Sequence, residues 1–187
     1  MRIGIVGPKK AGKSLLAFKL VRFLAQKGQK ARLANFDTKL THASFKPDFD
    51  LRQAYRSVPE DAYPKAFRDD VVKKATDAGV WVVDFASGLD WLLFSNTVGV
   101  FCDVFLLTVD DAKPLFAELA RFLSSAHGVP FILVVNRPDA LVSSQKTLSP
   151  FFMPKGKGFE SAVLVNAKER EGFDTLWETI QAVGPKG

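Results

Sequence analysis

The chain has little sulfur or imidazole. It carries one cysteine, Cys102, and two histidines, His42 and His127, far apart in sequence. A single cysteine cannot close an internal disulfide, and no ligand-like Cys/His spacing offers a structural zinc site. Both absences point to a reducing, cytoplasmic setting and away from a metal held by protein side chains alone. No apolar run approaches the roughly 20 residues of a membrane helix, so no transmembrane segment is expected. The first apolar stretch, MRIGIVG, is too short for a signal peptide. Acid is missing from the start of the chain. No Asp or Glu precedes Asp37, while nine basic residues do: Arg2, Lys9, Lys10, Lys13, Lys19, Arg22, Lys27, Lys30 and Arg32.

What remains is the composition of an ordinary globular protein, 47% hydrophobic and 25% charged over 187 residues. That length fits one domain spanning 1–187, with enough chain to bury a core. The formal net charge of +6 comes from the N-terminal block, the rest being slightly acidic. A basic N-terminal lobe suits an anionic ligand, either a nucleotide or a polynucleotide backbone. Lys19, Lys27 and Lys30 read more simply as a solvated helix face and turn.

Hydrophobic patterning alternates between two periods. Residues 2–6 form a short apolar strand. Leu16, Leu20, Phe23 and Leu24 then recur at helical spacing, and Gly28 closes that helix. A second strand covers 30–36, and 38–62 reads as a long loop with one helical turn at most. Helices are expected at 64–78, 113–126 and 171–183. Continuous apolar runs at 80–85, 104–109 and 130–135, with 161–165, are strands of the kind buried on both faces. This alternation predicts an α/β fold, a mostly parallel central sheet with helices on both faces. Right-handed crossovers place the strands' C-terminal ends on one edge, so Gly7, Asp37, Asp84, Asp110 and Asn136 fall along one crevice. Residues 143–160 look like an irregular surface insertion, whose Phe151, Phe152, Met153, Lys155 and Lys157 could meet DNA, membrane or protein, or simply tuck in.

Residues 7–14 read GPKKAGKS and satisfy G-x-x-x-x-G-K-[ST], the phosphate-cradling P-loop. Gly7 and Gly12 let the backbone close around phosphates. The amides of Lys10, Ala11, Gly12, Lys13 and Ser14 and the helix N-terminus that follows face the anion, with Lys9 and Leu15 also counted among the nucleotide-binding residues. Lys13 reaches the β- and γ-phosphates, and Ser14 can ligate Mg²⁺. A metal-bound nucleotide also calls for a carboxylate. Asp84 closes the apolar run VWVVDF, where a charge is costly unless it has a task.

Around these residues the chain resembles the MinD/ParA-type ATPases, in the P-loop class that also holds the signal-recognition GTPases. DFASGLD (84–90) is similar to their D-x-P-A-G-x-[DE] element. KGQKARLANFD (27–37) is similar to their G-x-x-V-x-x-x-D-x-D strand, whose terminal aspartate, Asp37 here, positions the attacking water. CDVFLLTVDDAKPLFAELARFL (102–123) resembles a strand–loop–helix of the class, and VVNRPD (134–139) resembles its asparagine element, in which Asn136 would read the base. The resemblance implies an Mg²⁺-dependent, slow ATP-hydrolysing switch, with Lys13, Asp37 and Asp84 catalytic and Ser14 and Asp84 on the metal. It also implies a nucleotide-dependent homodimer, and DNA or a protein as partner or cargo. Pro8 occupies the place of the family's signature lysine, leaving Lys9 and Lys10 as candidates to replace it.

GTP is the alternative. Asn136-Arg137-Pro138-Asp139 is one substitution from N-K-x-D, in which Asp139 would pair with guanine. VNAKEREGFDTLW (165–177) resembles the S-A-K loop and helix of many GTPases through Ala167 and Lys168. A small-molecule kinase would need an Arg-rich lid, and the sequence holds no Arg cluster.

Overall fold

The computed structural model describes residues 1–36, 46–50, 79–85, 102–110, 128–136 and 161–185. Strands β1 (Arg2–Val6), β2 (Ala31–Phe36), β3 (Phe49–Asp50), β4 (Val80–Phe85), β5 (Val104–Val109), β6 (Phe131–Asn136) and β7 (Ser161–Val165) form one sheet. Their order is β3-β2-β4-β1-β5-β6-β7. Every pairing is parallel, as the doubly buried runs predicted. Strand β1 lies between β4 and β5, where the chain order reverses across the sheet. A loop leaving its C-terminal end therefore opens at the switch point.

Helices α1 (Lys13–Gln26) and α2 (Phe173–Val183) pack on one face. Leu16, Leu20, Phe23 and Leu24 of α1 are buried against Ile3, Ile5, Leu33, Val82, Leu106 and Val134. Phe23 meets Phe173 of α2 at 5.7 Å between ring centroids, so the two helices share one apolar seam. Outside that seam Lys27 pairs with Asp174 at 2.7 Å and Lys19 donates to the Lys168 carbonyl at 3.2 Å. The solvated α1 face is thus tied to the start of α2 and the loop before it. The helices expected at 64–78 and 113–126 lie outside the described residues.

The opposite face carries phenylalanines ring to ring: Phe49 on Phe36, Phe36 on Phe85, Phe85 on Phe105 and Phe105 on Phe131. Strand β1 separates β4 from β5, so the Phe85–Phe105 contact has to cross it. Gly4, paired with both Val83 and Phe105, makes the crossing possible. A Cβ at Gly4 would lie 2.5 Å from the Phe105 ring and 3.0 Å from Cys102 Sγ. Gly4→Ala is expected to destabilise the fold by about 1–3 kcal/mol through overpacking, readable as a lowered urea midpoint at unchanged slope.

One expectation is corrected. Residues 49 and 50, assigned to a long loop, form edge strand β3. A two-residue strand is too short to show periodicity, and a side chain holds it: Asp48 Oδ2 accepts the Leu33 amide at 2.8 Å while Asp48 N–H donates to the Leu33 carbonyl at 2.9 Å. The final helix also begins at Phe173, two residues later than expected, after a left-handed Gly172. Trp81 is buried and Trp177 half-buried, as their apolar settings implied; Trp91 lies outside the described residues.

Candidate phosphate-binding site

The loop between β1 and α1 has an unusual backbone. Gly7 has φ 144°, Lys10 φ 68° and Gly12 φ 80°. Positive φ at Lys10 is uncommon for a residue with a side chain. The turns fold the loop back over the edge of the sheet, and two contacts fix its depth. A Cβ on Gly7 would run into the Thr108 carbonyl oxygen on β5, and a Cβ on Gly12 into Asn136 Nδ2. Both glycines are demanded twice, by φ and by close approach.

Gly12 is the N-cap of α1, with no side-chain cap and no acid in the first turn. The first helical bond past this cap runs from the Leu16 amide to the Gly12 carbonyl, 2.9 Å. The amides of Lys13, Ser14 and Leu15 lie ahead of it at the positive end of the helix dipole, an arrangement that suits an anion. Lys13 is 6% exposed, and its ammonium donates to the Pro8 carbonyl at 2.9 Å. The cation is thereby folded over the loop. Lys9 and Lys10 are exposed, and Ser14 is half-buried.

Residue parity places the other candidates. On the α1 face of the sheet, Val80 and Val82 precede Asp84, Ile132 and Val134 precede Asn136, and Leu33 precedes Asn35. Alternation then sets Asp84, Asn136 and Asn35 on that same face, at the edge where the loop opens. Asp84 is 5% exposed, in register beside Ile5 of β1 and Asn35 of β2. Thr108, fully buried beside Gly7, has a hydroxyl with no hydrogen-bond partner among the described residues. Such a group costs about 1–3 kcal/mol.

Asn136 is committed to the protein through both ends of its amide. Nδ2 donates to the Ala11 carbonyl at 3.1 Å, and Oδ1 accepts the Ala167 amide at 3.1 Å. It thus joins the phosphate loop to the segment after β7. That segment is itself closed by the Asn166–Glu171 bridge and by the Glu169 amide donating to Asn166 Oδ1. Among the described residues these are its two hydrogen bonds, one through each end of the amide.

Of the expected site residues, the structure gathers Gly7, Ala11, Gly12, Lys13, Ser14, Leu15, Asp84 and Asn136 at one edge, with Lys9 and Lys10 on the loop's rim. Asp110 follows β5 there and is exposed. Asp37 and Asp139 lie outside the described residues, as do Phe151, Phe152, Met153, Lys155 and Lys157. Arg2 belongs elsewhere: it sits at the opposite edge, paired with Asp103 at 2.7 Å. Cys102 beside it is buried, and burial, with Asp103 adding to it and Arg2 opposing, pushes its thiol well above the usual range. Sequence reading missed Asp50, which is 7% exposed and in register with Asn35. Nothing in the sequence signalled its burial, because a two-residue strand carries no period.

These residues fit a nucleotide with Mg²⁺. The loop's positive-φ turns and uncapped helix start would suit an anion, the buried Lys13 ammonium is folded over the loop, and Ser14 and the buried Asp84 would offer the oxygen donors that Mg²⁺ prefers. Among the described residues no group of three or more His, Cys, Asp and Glu could hold a metal alone.

No family model matches the sequence, and no curated protein matches it. Solved structures do. A GTPase in apo form from Pyrococcus abyssi superposes with a TM-score of 0.67 at 16% identity, covering 98% of this chain and 97% of that one. A plasmid partition protein from Borrelia burgdorferi gives 0.60 at 14% identity, covering 97% of each chain. The septum site-determining protein MinD complexed with Mg-ADP from Pyrococcus horikoshii gives 0.56 at 13%, covering 98% of this chain and 86% of that one. Identities this low speak for the fold: the chain has the α/β architecture of the P-loop NTPases, and its resemblance to the MinD/ParA class holds at that level.

Proposed function

We propose that the protein is an Mg²⁺-dependent nucleoside triphosphatase of the MinD/ParA type, binding ATP, hydrolysing it slowly and changing partners between its two nucleotide states. The observation that carries this reading is the loop of residues 7–14, with Lys13 folded onto Pro8 and α1 uncapped behind it. The MinD neighbour, complexed with Mg-ADP, supports it.

The chain's own residues divide the work as follows. Loop amides and the N-terminus of α1 hold the phosphates, and Lys13 exchanges the Pro8 carbonyl for phosphate oxygen. Ser14 and Asp84 would hold Mg²⁺, and Asp37 would orient the attacking water. The metal, when bound, supplies charge neutralisation at the β- and γ-phosphates. Catalysis of this kind rests on positioning and electrostatics, with no acid–base pair needed. Lys9 or Lys10, exposed on the rim, would stand in for the signature lysine if a second copy docks there, and DNA or another protein would be the partner that senses the nucleotide state.

A GTPase is the second reading. It is supported by the bridge from Asn136 to Ala167 of the N-A-K segment and by the fold of the Pyrococcus abyssi GTPase. Calorimetric titration with ATP and with GTP in the presence of Mg²⁺, followed by sizing of the complex, separates the two. A tenfold or larger preference for GTP would overturn the ATP assignment. Asp37→Ala is expected to bind the preferred nucleotide at wild-type strength and lose turnover; retained hydrolysis would remove its role.

A further inference from the structure

Thr108 is fully buried, yet its hydroxyl has no hydrogen-bond partner among the described residues. Val104 and Leu106 precede it in the core on the α1 face, so alternation along β5 turns its side chain to that same face. On one side it is in register with Val134, two residues before Asn136. On the other, one step beyond the Val6–Leu107 pair, its carbonyl abuts Gly7, where the loop of residues 7–14 begins. The hydroxyl therefore lies at the foot of the loop, in the row of residues between the core and Asn136. A valine would fill the same space without burying an unpaired polar group, as Val134 does beside it. Packing alone gives no reason for the threonine.

A trans peptide holds its N–H and C=O on opposite sides of one plane. A loop that turns amides toward an anion therefore turns the carbonyls of those same peptides away from it, toward the sheet. One such carbonyl already has its donor: Asn136 Nδ2 gives a hydrogen bond to the Ala11 carbonyl at 3.1 Å, and the Gly12 amide belongs to that same peptide. The Pro8 carbonyl is held differently, by the Lys13 ammonium at 2.9 Å. We propose that Thr108 is a positioning residue for the loop. When phosphate takes the Lys13 ammonium, the Thr108 hydroxyl donates to a loop carbonyl turned toward the sheet and, with Asn136, holds the loop amides toward the anion. This rests on the reading of residues 7–14 as the phosphate site. The unpaired hydroxyl is then a cost of the nucleotide-free state that phosphate binding recovers.

The test is calorimetric titration with Mg·ATP, Mg·ADP and Mg·GTP for wild type, Thr108→Val, Thr108→Ser and Lys13→Ala, with melting temperatures of the nucleotide-free proteins. Thr108→Val removes the hydroxyl and keeps the shape. It is expected to raise the nucleotide-free melting temperature by about 2–10 °C. It is also expected to weaken every nucleotide that the wild type binds about five- to thirtyfold, because the bond serves the phosphates and not the base. Thr108→Ser, which keeps the hydroxyl, is expected to recover most of the wild-type affinity. Unchanged affinity in Thr108→Val overturns the inference whatever the melting temperature. So does a lowered melting temperature, which would show the hydroxyl already bonded without nucleotide. A loss with one base and not another, or a serine variant as weak as the valine, overturns it too. Lys13→Ala separates the two layers. If it weakens binding and Thr108→Val does not, the inference alone fails. If Lys13→Ala leaves affinity unchanged, the phosphate assignment fails and takes the inference with it. Should Thr108→Val not fold, Thr108→Ala replaces it: weaker binding than in Thr108→Ser supports the inference, and equal affinity overturns it.

Discussion

Lys13→Ala is expected to weaken nucleotide binding at least about a hundredfold, or about 2.8 kcal/mol. The side chain is 6% exposed, and its ammonium is already drawn over the loop by the Pro8 carbonyl. Phosphate would replace a neutral acceptor with a charged one, and charge-assisted bonds are roughly twice as strong as neutral ones. The same substitution removes the Pro8 tether, so the loop loses both its cation and one of its internal ties. Calorimetry with Mg·ATP and Mg·GTP reads the effect, and circular dichroism confirms that the sheet persists. Undiminished affinity would mean that phosphate binds elsewhere and would remove the central assignment of residues 7–14.

Gly7→Ala should be the more damaging change to the protein as a whole. With φ at 144°, Gly7 occupies backbone space that residues with a Cβ rarely enter. The added methyl would also meet the Thr108 carbonyl oxygen, a main-chain atom of β5 held in the centre of the sheet. Side chains can rotate away from an intruder, but a strand carbonyl cannot. Strain and overlap together are expected to cost about 3 kcal/mol or more. For a domain of this size that is roughly 6–12 °C of melting temperature. Nucleotide binding should fall with it, because Gly7 sets how deeply the loop sits over the sheet. An unchanged melting temperature and affinity would show that the loop carries no such constraint.

The two substitutions probe different parts of the molecule's logic. The chemistry of Lys13 belongs to a short run of sequence, and any chain containing GPKKAGKS between a strand and a helix would advertise it. The need for Gly7 to face Thr108 depends on β5 lying beside β1, which no local pattern announces. Asn136 shows the same division. Its place at the end of an apolar run, on the edge where the loop of residues 7–14 opens, was legible. Its bonds to Ala11 and Ala167 join segments separated by 125 and 31 residues, and only the packing of β6 against β5 and β7 brings them within reach. Asp84 was legible because a carboxylate closing a buried strand is costly. Asp50 was not, because β3 has too few residues to carry a period.

The sequence by itself determined the glycine-bearing loop of residues 7–14, the long strands, the two described helices and hence a parallel α/β sheet. Each of these rests on spacing within a few residues, where hydrophobic period and glycine placement act directly on the backbone. Tertiary structure alone decided the order β3-β2-β4-β1-β5-β6-β7, the passage of Phe105 over Gly4, the clamp of Asp48 on Leu33 and the row Asp50–Asn35–Asp84. Those features depend on which strands become neighbours and in what register, and that is set by burying the whole sheet at once rather than by any segment's own preference.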